Sequence, residues 1–199
     1  MSFNIAHLQS AFQTQFPQLT KQDIDEFFKL CTFKKLNNKE AIIKSNSRST
    51  IAFFILKGMI RGYLINESGV EKNVFLRPTL TFMGAPNALF NEQTSKYTFE
   101  AIGETELLVF EFNDFEALAL KNANILKFYL SAYKEIVQTM VYRIESMINK
   151  MPEDRYEDLL NKSPQFFQTV YHKDIANYLG VTPVSLSRII KRKLEKQKS

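Results

Sequence analysis

The most constraining stretch of this chain is its last complete motif, HKDIANYLGVTPVSLSRIIKRK, from His172 to Lys193. Ile175 and Leu179 are four apart and face one side of a helix, while Ala176 is small enough for a second helix to cross closely. Gly180 follows where the first helix must end, and glycine takes the left-handed backbone that such an ending requires. Val181 plugs the turn, Thr182 caps the second helix and Pro183 fits its first turn, where no amide donor is needed. Leu186 and Ile189 then return to the shared core. The spacing predicts a helix-turn-helix.

The outer face of the second helix is short or cationic. Arg188, Val184, Pro183 and Ser187 are placed to meet base edges in a major groove, with Arg188 suited to a bidentate contact to guanine. Thr182, Ser185, Lys191, Arg192 and Lys193 are placed for phosphates. Charge supports this reading. The chain has 26 basic and 21 acidic residues, a net +5. From Thr182 onward there are six basic residues and one acid, so residues 1–181 carry 20 of each and net zero. The entire positive excess is at one end, the electrostatic footprint of phosphate binding.

Five of the six glycines lie between Ile51 and Phe112. This zone reads as strands at Ile51–Leu56, Ile60–Ile65, Lys72–Phe75, Phe99–Ile102 and Glu106–Phe110, with Asn66-Glu67-Ser68-Gly69 as a hairpin turn. Such spacing predicts an antiparallel barrel or sandwich. The flanks are helical: Asn4–Phe16, then Lys21–Cys31 opened by Thr20 with Asp23 three residues on. A short helix capped by Asn113 or Asp114 follows the strands, then a long helix over Asn124–Lys150. Residues 161–164 read as a turn and 165–171 as an extended or irregular connection. The fold class is α+β, with units at 1–120, 121–151 and 152–199.

On the long helix Ile125, Tyr129, Ala132, Ile136, Met140, Ile144, Met147 and Met151 recur at spacings of three and four. About 27 residues span roughly 40 Å, longer than a domain of this size covers, so the seam is expected to pair with its twin in a homodimer.

Other chemistries find little support. No histidine occurs between Leu8 and Tyr171, so a metal-dependent barrel enzyme lacks its ligands. Phosphate loops, serine elbows and a reactive cysteine context are missing too. Cys31, the single cysteine, reads as a half-buried hydrophobe. No metal or cofactor is expected. The start lacks a signal peptide's pattern and no run is long and apolar enough for a membrane span, so a cytoplasmic location is expected. A module that senses a small molecule and signals to a protein partner without DNA is the rival reading; the cations from Arg188 to Lys193 argue against it.

The order of a glycine-punctuated β unit, a long helix and a helix-turn-helix resembles the Crp/Fnr family of bacterial regulators. The resemblance rests on FFILKGMIRGYLINESGVEKNVFLRPTLTFMG, with Gly58, Gly69 and Gly84 at its turns, and on DIANYLGVTPVSLSRIIKR. It implies a cyclic-nucleotide-binding-like β-roll, jelly-roll-like in form, and a homodimer on double-stranded DNA, with RNA polymerase as a candidate further partner. Arg188 falls on the family's base-contacting arginine; Val184 stands where a glutamate is usual and Pro183 where an arginine is common. The family's cyclic AMP site has a Gly-Glu pair and a later Arg-Ser pair. Here Gly84-Ala85 and Ser95-Lys96 occupy those places, so the ribose acceptor and the phosphate-binding arginine are both lost, and control by cyclic AMP is not expected. Phe82, Phe90, Tyr97 and Phe99 would line a pocket or form plain core.

Overall fold

The computed structural model describes residues 5–91 and 93–196. Two helices, α1 (Ile5–Gln15) and α2 (Lys21–Leu30), lead into strands β1 (Thr32–Leu36), β2 (Ala41–Ile43), β3 (Ile51–Ile65), β4 (Glu71–Pro78) and β5 (Phe82–Gly84). After α3 (Pro86–Asn91) come β6 (Thr98–Glu111), α4 (Phe112–Lys121) and the long α5 (Ala123–Asn149). The chain ends in α6 (Pro152–Lys162), α7 (Phe166–Thr169), α8 (His172–Tyr178) and α9 (Pro183–Lys196).

The sheet is antiparallel throughout, in the order β1-β6-β3-β4, with β2 against β6 and β5 against β3. The two expected strands at 51–56 and 60–65 are one, and so are those at 99–102 and 106–110. Gly58 therefore sits within β3, not at a turn between strands. Its φ is +87°, and a Cβ there would lie 2.6 Å from the Glu104 carbonyl oxygen. Pairing of β3 with β6 shifts register around this glycine, so the pair bends through a bulge and stays hydrogen-bonded. Gly84 lies in β5 rather than at a turn. The 66–69 turn forms as expected: Gly69 has φ +75°, and Asn66 Oδ1 accepts from the amides of Ser68 and Val70.

Three strands escape sequence reading. Residues 32–36 carry two lysines and four exposed positions, so their alternation is masked. β2 and β5 have three residues each, too short to show a period.

Two apolar clusters fill the N-terminal unit. Phe53, Ile55, Ile60, Phe75, Phe99 and Leu107 pack inside the roll. Phe12, Phe27, Phe54, Phe110, Phe115 and Phe128 join the flanking helices to its outer face. Phe82 belongs to the second cluster and Phe99 with Tyr97 to the first, while Phe90 is exposed, so the four aromatics do not converge on one pocket.

Helix ends hold two surprises. The Thr20 capping box forms, and Asp23 reaches beyond it to accept from Asn122 Nδ2 at 2.7 Å and Asn124 Nδ2 at 3.0 Å. Asn122 caps α5 through the amides of Asn124 and Ile125. Burial acts to raise the Asp23 carboxyl, but the Thr20, Asn122 and Asn124 hydrogen bonds outweigh it and hold the pKa at about 2. Neither Asn113 nor Asp114 caps α4, which starts two or three residues earlier because Thr50 secures Phe112 N–H and the Glu111 side chain. The 165–171 connection contains α7 instead of being extended: Phe166 is buried and anchors a short turn of helix.

Cys31 follows α2, its thiol donating to the Phe27 carbonyl and pushed up to about 12 by burial. No helix among the described residues is long and apolar enough to cross a membrane.

The long helix corrects the expected seam. Ile125 is fully buried against the protomer's own core, Tyr129 packs on Phe112 and Phe115, and Met140 lies against the roll. Ala132 and Ile136 are half-buried. Ile144, Met147 and Met151 of the expected line are exposed, and the open apolar stripe joins Ile144 to Leu130, Tyr133, Val137, Val141 and Ile148, continued by Met151. At 100° per residue it lies about 90° round the helix from the expected line. A three-four spacing fits both lines; only the roll decides which one is left open.

Candidate nucleic-acid interface and its seam with the roll

Helix α8 ends in two hydrogen bonds that close its turn. Gly180 N–H donates to the Asn177 carbonyl and Val181 N–H to that of Ala176, with Gly180 at φ +71°. This is the six-to-one and five-to-two pattern of a helix stopped by a left-handed residue. Thr182 then caps α9, its Oγ1 accepting from Ser185 N–H at 3.1 Å and its carbonyl from Leu186 N–H. Ile175, Ala176, Leu179, Leu186 and Ile189 are buried together as the spacing predicts.

On the outer face Pro183, Val184, Ser187, Arg188, Lys191 and Arg192 are exposed. Arg188 makes no ion pair among the described residues, so its guanidinium is available. Arg192 and Lys193 are paired with Glu153 and Glu157 of α6, and Lys191 with Glu195 at 3.9 Å. Ser185 and Thr182 share their hydroxyls, and the Ser187 hydroxyl donates to the Pro183 carbonyl. Among the cations expected on this face, Arg188 is thus the one without a carboxylate.

Gly84, Ala85, Ser95 and Lys96 do not assemble a polar pocket. Ala85 is fully buried among apolar side chains. Ser95 is fully buried and spent on structure: its hydroxyl donates to the Tyr97 carbonyl and accepts from Tyr97 N–H, while its backbone pairs with Asn46 and Ser47. Lys96 is exposed, and a Cβ on Gly84 would meet Leu89 at 2.5 Å. Phenylalanines occupy the volume inside the roll. No metal-binding cluster of His, Cys, Asp and Glu occurs among the described residues.

Sequence reading missed the polar seam that joins the roll to α8. Arg61, on β3, donates to Glu100 at 2.7 Å, to Glu71 at 2.8 Å, and to Asp174 of α8 at 3.1 Å. Burial works against the guanidinium charge, but the Glu100 and Glu71 hydrogen bonds prevail and raise its pKa. Asn73 of β4 donates through its side chain to the Asp174 carbonyl and through its backbone to Asn177 Oδ1; Asn177 returns a bond to the Glu71 carbonyl. Arg143 of α5 donates to the Asn73 carbonyl and stacks 3.6 Å from the Tyr178 ring centre. These partners lie up to 113 positions apart, so no local spacing reports them. The one trace is Arg61, which with Lys57 is one of two charged residues in the otherwise apolar run IAFFILKGMIRGYLI. Below this seam Met59, Leu76 and Ile102 of the roll pack with Phe166, Val170 and Ile175.

A family model described as the cyclic nucleotide-binding domain matches residues 33–122. No curated protein matches the chain in sequence. Among solved structures, FixK2 from Bradyrhizobium japonicum is similar at 15% identity over 84% of this chain and 86% of its own, with a TM-score of 0.71. A CooA mutant from Carboxydothermus hydrogenoformans is similar at 13% identity over 86% and 79%, with a TM-score of 0.69. The c-di-GMP responsive global regulator CLP of Xanthomonas campestris is similar at 13% identity over 87% and 91%, with a TM-score of 0.68. Residues 33–122 therefore match the cyclic nucleotide-binding domain model, and the chain shares its overall fold with these three solved structures.

Proposed function

We propose that two copies of this chain form a homodimer that places α9 of each in successive major grooves of duplex DNA and regulates transcription, without control by cyclic AMP. The observation that carries the reading is the outward face of α9: short side chains around an exposed Arg188 that has no acidic partner among the described residues, on a helix whose inner face is fully packed. Arg192 and Lys193 remain close enough to the same surface to exchange their α6 carboxylates for phosphates, a swap that makes binding salt-dependent. The open stripe Leu130–Val137–Val141–Ile144–Ile148 supports pairing of two α5 helices, since an apolar row of this length is costly to leave in water. Independence from cyclic AMP is supported by the buried methyl of Ala85 and the engaged hydroxyl of Ser95.

Selection of bound sites from random duplexes is expected to return a near-palindrome. Arg188→Ala should then lose about 1–3 kcal/mol at one base pair per half-site and flatten the preference there. A variant as selective as the parent rejects the role given to Arg188, and absence of any duplex preference over heparin rejects the reading as a whole.

A further inference from the structure

A cavity of about 470 Å³ lies between β4, α5, α6 and the end of α8, beside the polar seam and outside the roll. That is the size of a small-molecule site. Its walls combine Leu76, Tyr142, Phe166 and Tyr178 with four cations, Arg77, Arg143, Arg155 and Lys162.

The charges around it do not balance. Two carboxylates face the cavity, and both are taken: Glu135 by Arg77, Asp158 by Lys150 and the Tyr142 hydroxyl. Arg143 and Arg155 have no carboxylate partner among the described residues, and Lys162 makes no ion pair there, although its charge acts through space on Asp158. Arg155 spends its donors on the carbonyls of Leu179 and Lys150, and Lys162 rests 3.4 Å from the Tyr142 ring centre. The wall thus sets four cations against two carboxylates, an excess of positive charge on an aromatic-walled space and the complement of an anion with an apolar body.

The same arginines also hold α8. Arg143 grips Tyr178 and the strand residue Asn73; Arg155 grips the carbonyl of Leu179, the last residue before the Gly180 turn. The open stripe of α5 is on the opposite side of that helix from Glu135, Tyr142 and Ser146, which face the cavity, so pairing of two α5 helices leaves the space accessible.

We propose that this interdomain cavity is an effector site for a small organic anion, a carboxylate or phosphate ester carrying an aromatic or apolar group. Arg143, Arg155 and Lys162 bind the anionic group and the aromatic wall takes the remainder. Because two of these arginines also fix α8, occupancy is linked to the angle of α8 and α9 against the roll, and DNA and ligand affinities change together by the same factor. The site itself stands apart from the DNA-binding reading; its role as an effector site rests on it.

The test titrates the full chain with naphthyl phosphate, naphthoate and naphthol, followed by naphthalene fluorescence, and measures affinity for the selected duplex with and without each. One site per chain is expected for an anion, with naphthol weaker by about tenfold or more. Comparing phosphate with carboxylate identifies the preferred headgroup. Lys162→Gln, at an exposed position, should weaken the anion about three- to tenfold. Gln138→Trp at the cavity wall should abolish binding while the unfolding midpoint stays put, and Arg188→Ala should leave it unchanged. Equal affinity for naphthol, or loss of binding in Arg188→Ala but not in Gln138→Trp, overturns the site. Binding that leaves duplex affinity unaltered overturns its effector role. If the anion binds but no duplex is preferred, the DNA-binding reading fails while the site stands.

Discussion

The inside of the roll and the seam between the roll and α8 are built from opposite materials. Phe53, Phe75 and Phe99 fill the first, with Ile60 and Leu107 fully buried around them and the hydroxyl of Ser95 locked to its own turn. Arg61, Asn73, Asp174, Asn177 and Arg143 make the second, with a cavity alongside. An apolar interior packed to this extent has one good arrangement. A seam made of directional hydrogen bonds between two packed bodies can exchange one set of partners for another at modest cost, which is where a reorientation is best accommodated. The roll thus acts as a platform, and the surface facing α8 is the part whose chemistry can change.

The largest effect is expected at the centre of the seam. Arg61→Met leaves Glu100 and Asp174, both nearly buried, without their shared cation, and breaking a buried ion cluster from one side costs about 3–5 kcal/mol. Urea unfolding measures the loss, and hydrogen exchange in α8 should rise more than in β3 or β6. Uniform exchange across the chain would mean that Arg61 supports the roll alone and that the two regions are not separable.

Ala85→Glu examines the other side of the contrast. In a roll with a latent nucleotide site, this change supplies the missing carboxylate and confers affinity for cyclic AMP. In the structure Ala85 is fully buried in the apolar cluster, so the carboxylate has no hydrogen-bonding partner there. The expected outcome is a loss of about 2–4 kcal/mol and no nucleotide binding by calorimetry. Acquired binding would show that the interior opens more readily than its packing implies.

A third substitution separates the two faces of α5. Val137→Glu puts a charge on the open stripe and should dissociate dimers in sedimentation at micromolar concentration, at a cost of about 1–3 kcal/mol per chain. Met140→Glu, on the roll side, should lower the unfolding midpoint instead. The reverse pairing of outcomes would restore the seam through Ile125, Ile136 and Met140.

What was legible in the sequence and what was not divides along the same line. The turn at Gly180, the cap at Thr182 and the core positions Ile175, Leu179, Leu186 and Ile189 were readable, since each depends on neighbours within four residues. The Thr20–Asp23 capping box was readable for the same reason. The rest depends on partners far along the chain. Gly58 looked like a turn because a positive φ does not say whether the chain reverses or bulges, and only the register against β6 distinguishes them. The open face of α5 was misjudged because two lines satisfy the same spacing. Arg192 and Lys193 looked free because Glu153 and Glu157 sit nearly forty positions upstream.

The smallest effect is expected at Asp23, far from both regions, and it gauges how independent the α2–α5 junction is from the seam. Its carboxylate ties the start of α2 to the start of α5 through Asn122 and Asn124. The folded pKa of about 2 lies below the ordinary value near 3.9 for an unfolded chain, so the native state favours the ionised form. The stabilisation is therefore complete above about pH 4 and is lost as pH falls through about 2. Asp23→Asn should cost about 1 kcal/mol at neutral pH, the scale of a damaged cap, and should remove this part of the acid sensitivity. Urea midpoints collected from pH 5 downward check it: the parent curve should fall more steeply than that of the variant, and the two should converge at the acid end. Parallel curves would place the acid-sensitive contact elsewhere.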